Sequence, residues 1–206
     1  MGGKGRSSCL RRRRAGLEWR MDARIEDGVA LARQLAQYQA AWPAETAVVE
    51  RFRACLRRGA QAFGRSGGDG HFTGSAWLVS ADGAAVLLTH HRKLGRWLQL
   101  GGHADGDLDL GRVALREAEE ESGLSELRLE PGILDLDCHL IPARGAEPAH
   151  YHYDVRFVVR ATCAGAFTVS AESHALAWRD IHDLQQDPAT EESLRRMAVK
   201  YLARSA

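Results

Sequence analysis

Residues 101–124 restrict this chain more than any other segment. They run from Gly101-Gly102-His103-Ala104-Asp105-Gly106 to Glu119-Glu120-Glu121-Ser122-Gly123-Leu124. The glycines and aspartates of the first half predict a sharply bending loop. The second half predicts a helix, with Asp107 or Asp109 as N-cap and Gly123 where the chain must leave it. At about 3.6 residues per turn, Leu110, Val113 and Ala114 fall on one stripe that should face a core. One turn further the same stripe carries Glu117, Glu120 and Glu121, related by i, i+3 and i+4. Carboxylates this close repel and raise one another's pKa values, so stability alone would not put them on a packing face. A hard divalent cation removes the conflict, because it seeks carboxylate and carbonyl oxygens. A solvated acidic face is the ordinary reading of a glutamate cluster. Here the continuity with the apolar stripe, and the Gly-Gly bend just ahead of it, favour a metal site.

The same residues resemble the Nudix box, Gx5Ex7REUxEExGU, where U is a bulky apolar residue. Gly102 matches the first glycine, and Arg116 to Leu124 matches the REUxEExGU portion, with the small Ala118 at a U position. Leu108 stands where the first glutamate belongs. Asp107 and Asp109 flank it, so a loop slipped by one residue could still supply an acid. In the family that acid usually holds the arginine, so the departure concerns the anchoring of Arg116 more than metal binding. The resemblance spans about Gly70 to Ala206. It implies an α+β fold, an α/β/α sandwich around a mixed sheet. It also implies an enzyme in which water attacks a phosphorus of a nucleoside diphosphate joined to another group.

The cofactor implied is Mg²⁺ or Mn²⁺, which screens phosphate oxygens and acidifies a bound water. Glu117, Glu120 and Glu121 are the expected ligands, with the carbonyl of Gly101 as a fourth, since glycine lets backbone approach a ligand closely. Arg116 belongs to the catalytic set. A remote acid often completes such sites, and Glu172, ahead of a strand containing Trp178, is the candidate. The general base stays open between Glu172 and a box glutamate, Glu117 or Glu120.

With 206 residues, 45% of them hydrophobic, the chain can bury one sizeable core plus an appendage. The net charge of +1 gives no global field that would favour nucleic acid or a membrane. Cys9, Cys55, Cys138 and Cys163 form no CxxC pair, which fits a reducing cytoplasm better than a disulfide or zinc framework. Residues 1–20 are a basic block read as a disordered tail. Residues 21–66 are read as an N-terminal helical hairpin broken at Trp42-Pro43, and residues 70–206 as the main domain. The exposed faces of the hairpin would suit a homodimer.

Strands are predicted over Phe72–Ser80, Ala85–Thr89, Trp97–Leu100, Leu127–Leu140, Tyr151–Ala161, Phe167–Val169 and Leu176–Trp178, with a final helix over Ala189–Arg204. Alternation puts His150, His152 and Asp154 on one face of a strand, and Asp135, Asp137 and His139 on one face of the strand before it. If the two pair as a hairpin, this surface could bind a second metal or a phosphate and contribute to specificity. The competing expectation is a solvated sheet face. The basic loop His90–Arg96, with Arg92 and Arg96, suits a polyanionic small-molecule diphosphate. His103 is a further phosphate-binding candidate, and Trp97 could stack on a base or sit in the core.

Two other functions compete for this sequence. An isopentenyl-diphosphate isomerase would need a catalytic cysteine, and no cysteine here sits in a matching context. A nucleotide-sensing module, contacting nucleic acid through its basic tail, would have no need to retain the full carboxylate set.

Overall fold

A computed structural model describes residues 29–65, 68–145, 147–163, 167–168 and 173–204. The basic block at 1–20 lies outside them. The elements in chain order are α1 (29–41), α2 (Thr46–Leu56), β1 (Gly70–Val79), β2 (Ala85–His91), β3 (Arg96–Leu98), β4 (Leu100–His103), α3 (Leu110–Ser122), β5 (Leu127–Ile141), β6 (His150–Ala161), β7 (Ser173–Asp180), α4 (Ile181–Gln186) and α5 (Glu192–Arg204).

Among the described residues the strands form one mixed sheet, ordered β3-β2-β1-β6-β5, with β4 also on β1 and β7 also on β2. The pairing of β1 with β6 is parallel, Gly70 opposite Tyr151 through Val79 opposite Arg160. The pairs β1–β4 and β5–β6 are antiparallel. Helices cover both faces. One core joins Leu110, Val113 and Ala114 of α3 to Phe72, Ala76 and Leu78 of β1, and it includes Leu31, Leu35, Val49, Phe52 and Phe63 from the N-terminal helices. The other joins Trp77 and Val79 to Ile181, Leu194, Met197 and Tyr201 from α4 and α5. The chain is thus an α/β/α sandwich, and period-two alternation along β1 sends successive side chains into different cores. The apolar faces of α1 and α2 are taken up by the chain's own sheet, so they supply no argument for a dimer.

Local differences from the sequence expectations have physical causes. The strand expected over Trp97–Leu100 is two strands: β3 pairs with β2 and β4 with β1, with Gln99 between them. His90 and His91 belong to β2 rather than to a loop. The final helix starts at Glu192 rather than Ala189, and ahead of the Asp187-Pro188 break stands a further short helix, α4, capped by Asp180 accepting from the Asp183 N–H. Val169 lies outside the described residues.

Candidate active site

The glycine bend and α3 meet at one close approach. Asp109 caps α3 by accepting from the Arg112 N–H, and Gly123 ends it with φ 67°, the left-handed conformation glycine adopts without strain. Helix α3 presses on β1 at Gly74, where a Cβ would come within 2.7 Å of the Leu110 carbonyl oxygen. That contact sets the Leu110–Val113 stripe on the sheet and carries the next turn over the bend. There Glu121 Oε1 accepts from the Gly101 N–H at 2.9 Å. A Cβ on Gly102 would lie 2.5 Å from the Glu117 carboxylate. Gly102 is opposite Gly74 in the β1–β4 register, so both glycines clear the same space beneath the helix.

Glu117 and Glu121 are half-buried and converge on the bend, and Glu120 is exposed beside them. Like charges do not gather unaided. Glu117 pairs with Arg116 Nη2 at 2.9 Å, while Glu121 turns to a backbone donor. This donor set, hard carboxylate oxygens around a backbone bend free of side chains, fits Mg²⁺ or Mn²⁺. Gly102→Ala is expected to displace Glu117 and lower turnover more than tenfold, because the added methyl occupies the carboxylate's place. Its thermal midpoint should shift far less, since the clash can be relieved at the end of a flexible side chain. Initial rates together with a melting curve check this.

Arg116 donates from Nη2 to the His103 carbonyl at 3.1 Å as well as to Glu117. Leu108, where the family motif has an acid, is a buried member of the core. The loop has not slipped to replace it. Asp107 binds the Arg112 guanidinium instead, accepting from Nε at 2.8 Å, and Asp109 is spent on the cap. Arg116 is therefore oriented by a backbone carbonyl and its neighbour's carboxylate.

The other candidates fall elsewhere. Arg92 donates to the Ser173 carbonyl at 3.3 Å, and Arg96 pairs with Glu191 at 3.1 Å. Arg96 and Trp97 line a separate cleft of roughly 280 Å³ with Arg179 and Leu194. Trp97 packs on the α4–α5 core, across the sheet from α3. The basic turn is thus partly neutralised. Glu172 lies outside the described residues.

The histidine face is only partly solvated: His139 is exposed, and His152 and Asp137 are half-buried. His139 stands opposite His152, and Asp137 opposite Asp154, as a β5–β6 hairpin requires. Yet Asp154, Asp135 and His150 are buried. Asp154 accepts from Ser75 Oγ at 2.7 Å, Thr73 Oγ1 at 3.0 Å and Arg156 Nε at 2.8 Å, so it is a structural anchor with its lone pairs occupied. The histidines form a cluster that includes His71 of β1 and His103 of β4. Ring centroids are 5.2 Å apart for His71–His103, 4.9 Å for His71–His152 and 5.1 Å for His103–His152. His71 escaped sequence reasoning. The signal available was its alternation with Thr73 and Ser75, but its partner across the parallel ladder is 81 residues away.

Burial, reinforced by the neighbouring imidazole of His103, pulls His71 down to about 4 and His152 down to about 3. The unfolded chain takes up these protons near pH 6.5 and the folded chain does not, so stability should fall as pH drops from about 6.5 towards 4. Urea midpoints at pH 7.5 and 5.0, in EDTA so that no ion competes for the imidazoles, test this. The decline should be shallower in His152→Asn.

The sandwich and the glycine bend beneath α3 are those of a Nudix domain. The NUDIX domain family model matches residues 71–200, well over half of the chain. The chain belongs to the Nudix family and is a pyrophosphohydrolase of that family. Solved structures agree in fold. A C. elegans Ap4A hydrolase binary complex superposes with a TM-score of 0.52 at 16% identity, over 65% of this chain and 96% of that one. An E. coli dihydroneopterin triphosphate pyrophosphohydrolase gives 0.51 at 15%, over 65% and 95%. A MutT protein from Methanosarcina mazei Go1 gives 0.50 at 16%, over 65% and 94%. No curated protein matches the chain in sequence. Among the described residues, no helix is long and apolar enough to cross a membrane.

Proposed function

We propose that the protein hydrolyses the pyrophosphate bond of a nucleotide-type small molecule, a nucleoside diphosphate linked to another group, in the cytoplasm. Glu117, Glu120, Glu121 and the Gly101 carbonyl would hold Mg²⁺ or Mn²⁺. When bound, the ion supplies charge screening of the diphosphate and acidification of an attacking water. Arg116, held against the His103 carbonyl, keeps Glu117 turned to the bend. The base that takes the water's proton is Glu172 or a box glutamate, Glu117 or Glu120. The observation that carries this reading is the convergence of Glu117 and Glu121 on a bend cleared of side chains at Gly101 and Gly102.

The substrate class draws on the similar proteins named above, an Ap4A hydrolase and a dihydroneopterin triphosphate pyrophosphohydrolase, both named for cleaving phosphoanhydrides. Phosphate and pyrophosphate release should be measured with Mg²⁺ or Mn²⁺ over nucleoside triphosphates, dinucleoside polyphosphates, ADP-ribose and NADH. Metal-dependent turnover of at least one compound, abolished by EDTA, supports the reading. Inactivity on all of them, with tight nucleotide binding, would replace it with a sensing role.

A further inference from the structure

We propose that His71, His103 and His152 bind a single divalent cation of borderline softness, of which Zn²⁺ is the type, at a site separate from the carboxylates of α3. These three side chains come from β1, β4 and β6, and their ligand nitrogens all lie within 4.8 Å of one another. Around a tetrahedral zinc with Zn–N bonds of about 2.0–2.1 Å the nitrogens would stand roughly 3.4 Å apart, a difference that small side-chain rotations can close.

The chemistry of the trio selects the ion. It holds imidazoles alone, which suit Zn²⁺, Ni²⁺ or Cu²⁺ and not the oxygen-seeking Mg²⁺. His71 is 2% exposed, and its Nε2 is buried without a hydrogen-bond partner among the described residues. A buried nitrogen left in that state is costly, and a metal bond relieves it. Burial also keeps the rings neutral, the form in which imidazole coordinates.

Neighbouring groups complete the surroundings. His150 Nδ1 faces the Pro148 carbonyl at 2.9 Å, which directs its Nε2 towards His152 Nε2 at 3.3 Å. His139 Nδ1 pairs with Asp137 Oδ2 at 2.9 Å. These contacts fix two further imidazoles beside the trio.

The position is distinct from the box. Along β4, Gly102 faces α3, whereas His103 pairs opposite Thr73 and points with His71 to the other face of the sheet. The two sites are nonetheless adjacent, because the His103 carbonyl receives Arg116. An ion on His103 would clasp β1, β4 and β6 together and brace the strand that orients Arg116.

The test uses the 206-residue, tag-free chain stripped with EDTA and titrated with Zn²⁺ alone by calorimetry. Co²⁺ absorption of the same unmutated protein reports the coordination. The expected results are one zinc per chain, a tetrahedral nitrogen-ligand Co²⁺ spectrum, and a thermal midpoint raised by zinc. His71→Asn and His152→Asn should each weaken zinc binding about a hundredfold or more, beyond the 10–100-fold typical of losing an outer partner. Glu121→Gln should retain it. The proposal is overturned by no zinc uptake, by uptake that persists in a folded histidine variant, by loss of zinc in Glu121→Gln, or by an octahedral Co²⁺ spectrum. The Co²⁺ measurement decides even if neither histidine variant folds.

Discussion

Glu120→Gln and Glu121→Gln should each lower metal-dependent turnover about a hundredfold or more while leaving the fold intact. The amide keeps the size of the carboxylate and removes its charge. In Glu121→Gln the remaining carbonyl oxygen can still accept from the Gly101 N–H. Glu120 is exposed, so neutralising it removes no packing. The loss falls instead on the divalent ion. Its contribution to transition-state charge is worth several kcal/mol, and about 3 kcal/mol corresponds to roughly a hundredfold in rate. The Mg²⁺ concentration for half-maximal rate should rise as well. Circular dichroism and melting curves should match the unmutated protein. Unimpaired turnover in both variants would remove the carboxylate ridge from the chemistry.

Asp135→Ala is the substitution expected to cost the most stability, about 3–5 kcal/mol. Asp135 is 0% exposed and is surrounded by three cations. Its Oδ1 accepts from Lys200 Nζ at 2.6 Å and its Oδ2 from Arg156 Nη1 at 3.0 Å and Arg196 Nη2 at 2.8 Å. Burial acts to raise its pKa, but the Arg196 hydrogen bonds and the charges of Arg156 and Lys200 outweigh that and hold it below the usual carboxylate range. Without Asp135, Arg156 and Lys200 would remain buried with fewer counter-charges. Lys200 also donates to Tyr38 Oη at 2.5 Å and pairs with Glu45 at 2.6 Å, so the change should loosen the docking of α1 on α5. Urea denaturation measures the effect. A loss under about 1 kcal/mol, the scale of an exposed ion pair, would mean the cluster contributes little.

What was legible in the sequence is what a short window contains. The helical period and its caps, Asp109 and Gly123, are local, so the alignment of Glu117, Glu120 and Glu121 behind an apolar stripe follows from residues 101–124 alone. The β5–β6 hairpin is likewise a matter of near neighbours, and it brought His139 opposite His152 as alternation required. Leu108 was ambiguous because a leucine between two aspartates can face either way in a loop. Burial decided that it joins the core, so each aspartate took a different partner.

The tertiary structure alone decided the rest. A parallel ladder joins strands far apart in the chain, and no local pattern marks which strand β1 will choose. That choice put His71 beside His152 and Ser75 beside Arg156. It turned much of a sheet face expected to be wet into a buried one, with Asp154 tied to four partners and His71 Nε2 without a hydrogen-bond partner among the described residues. Periodicity specifies which way a side chain points; what it meets there depends on contacts between distant segments, which form only when the whole core closes.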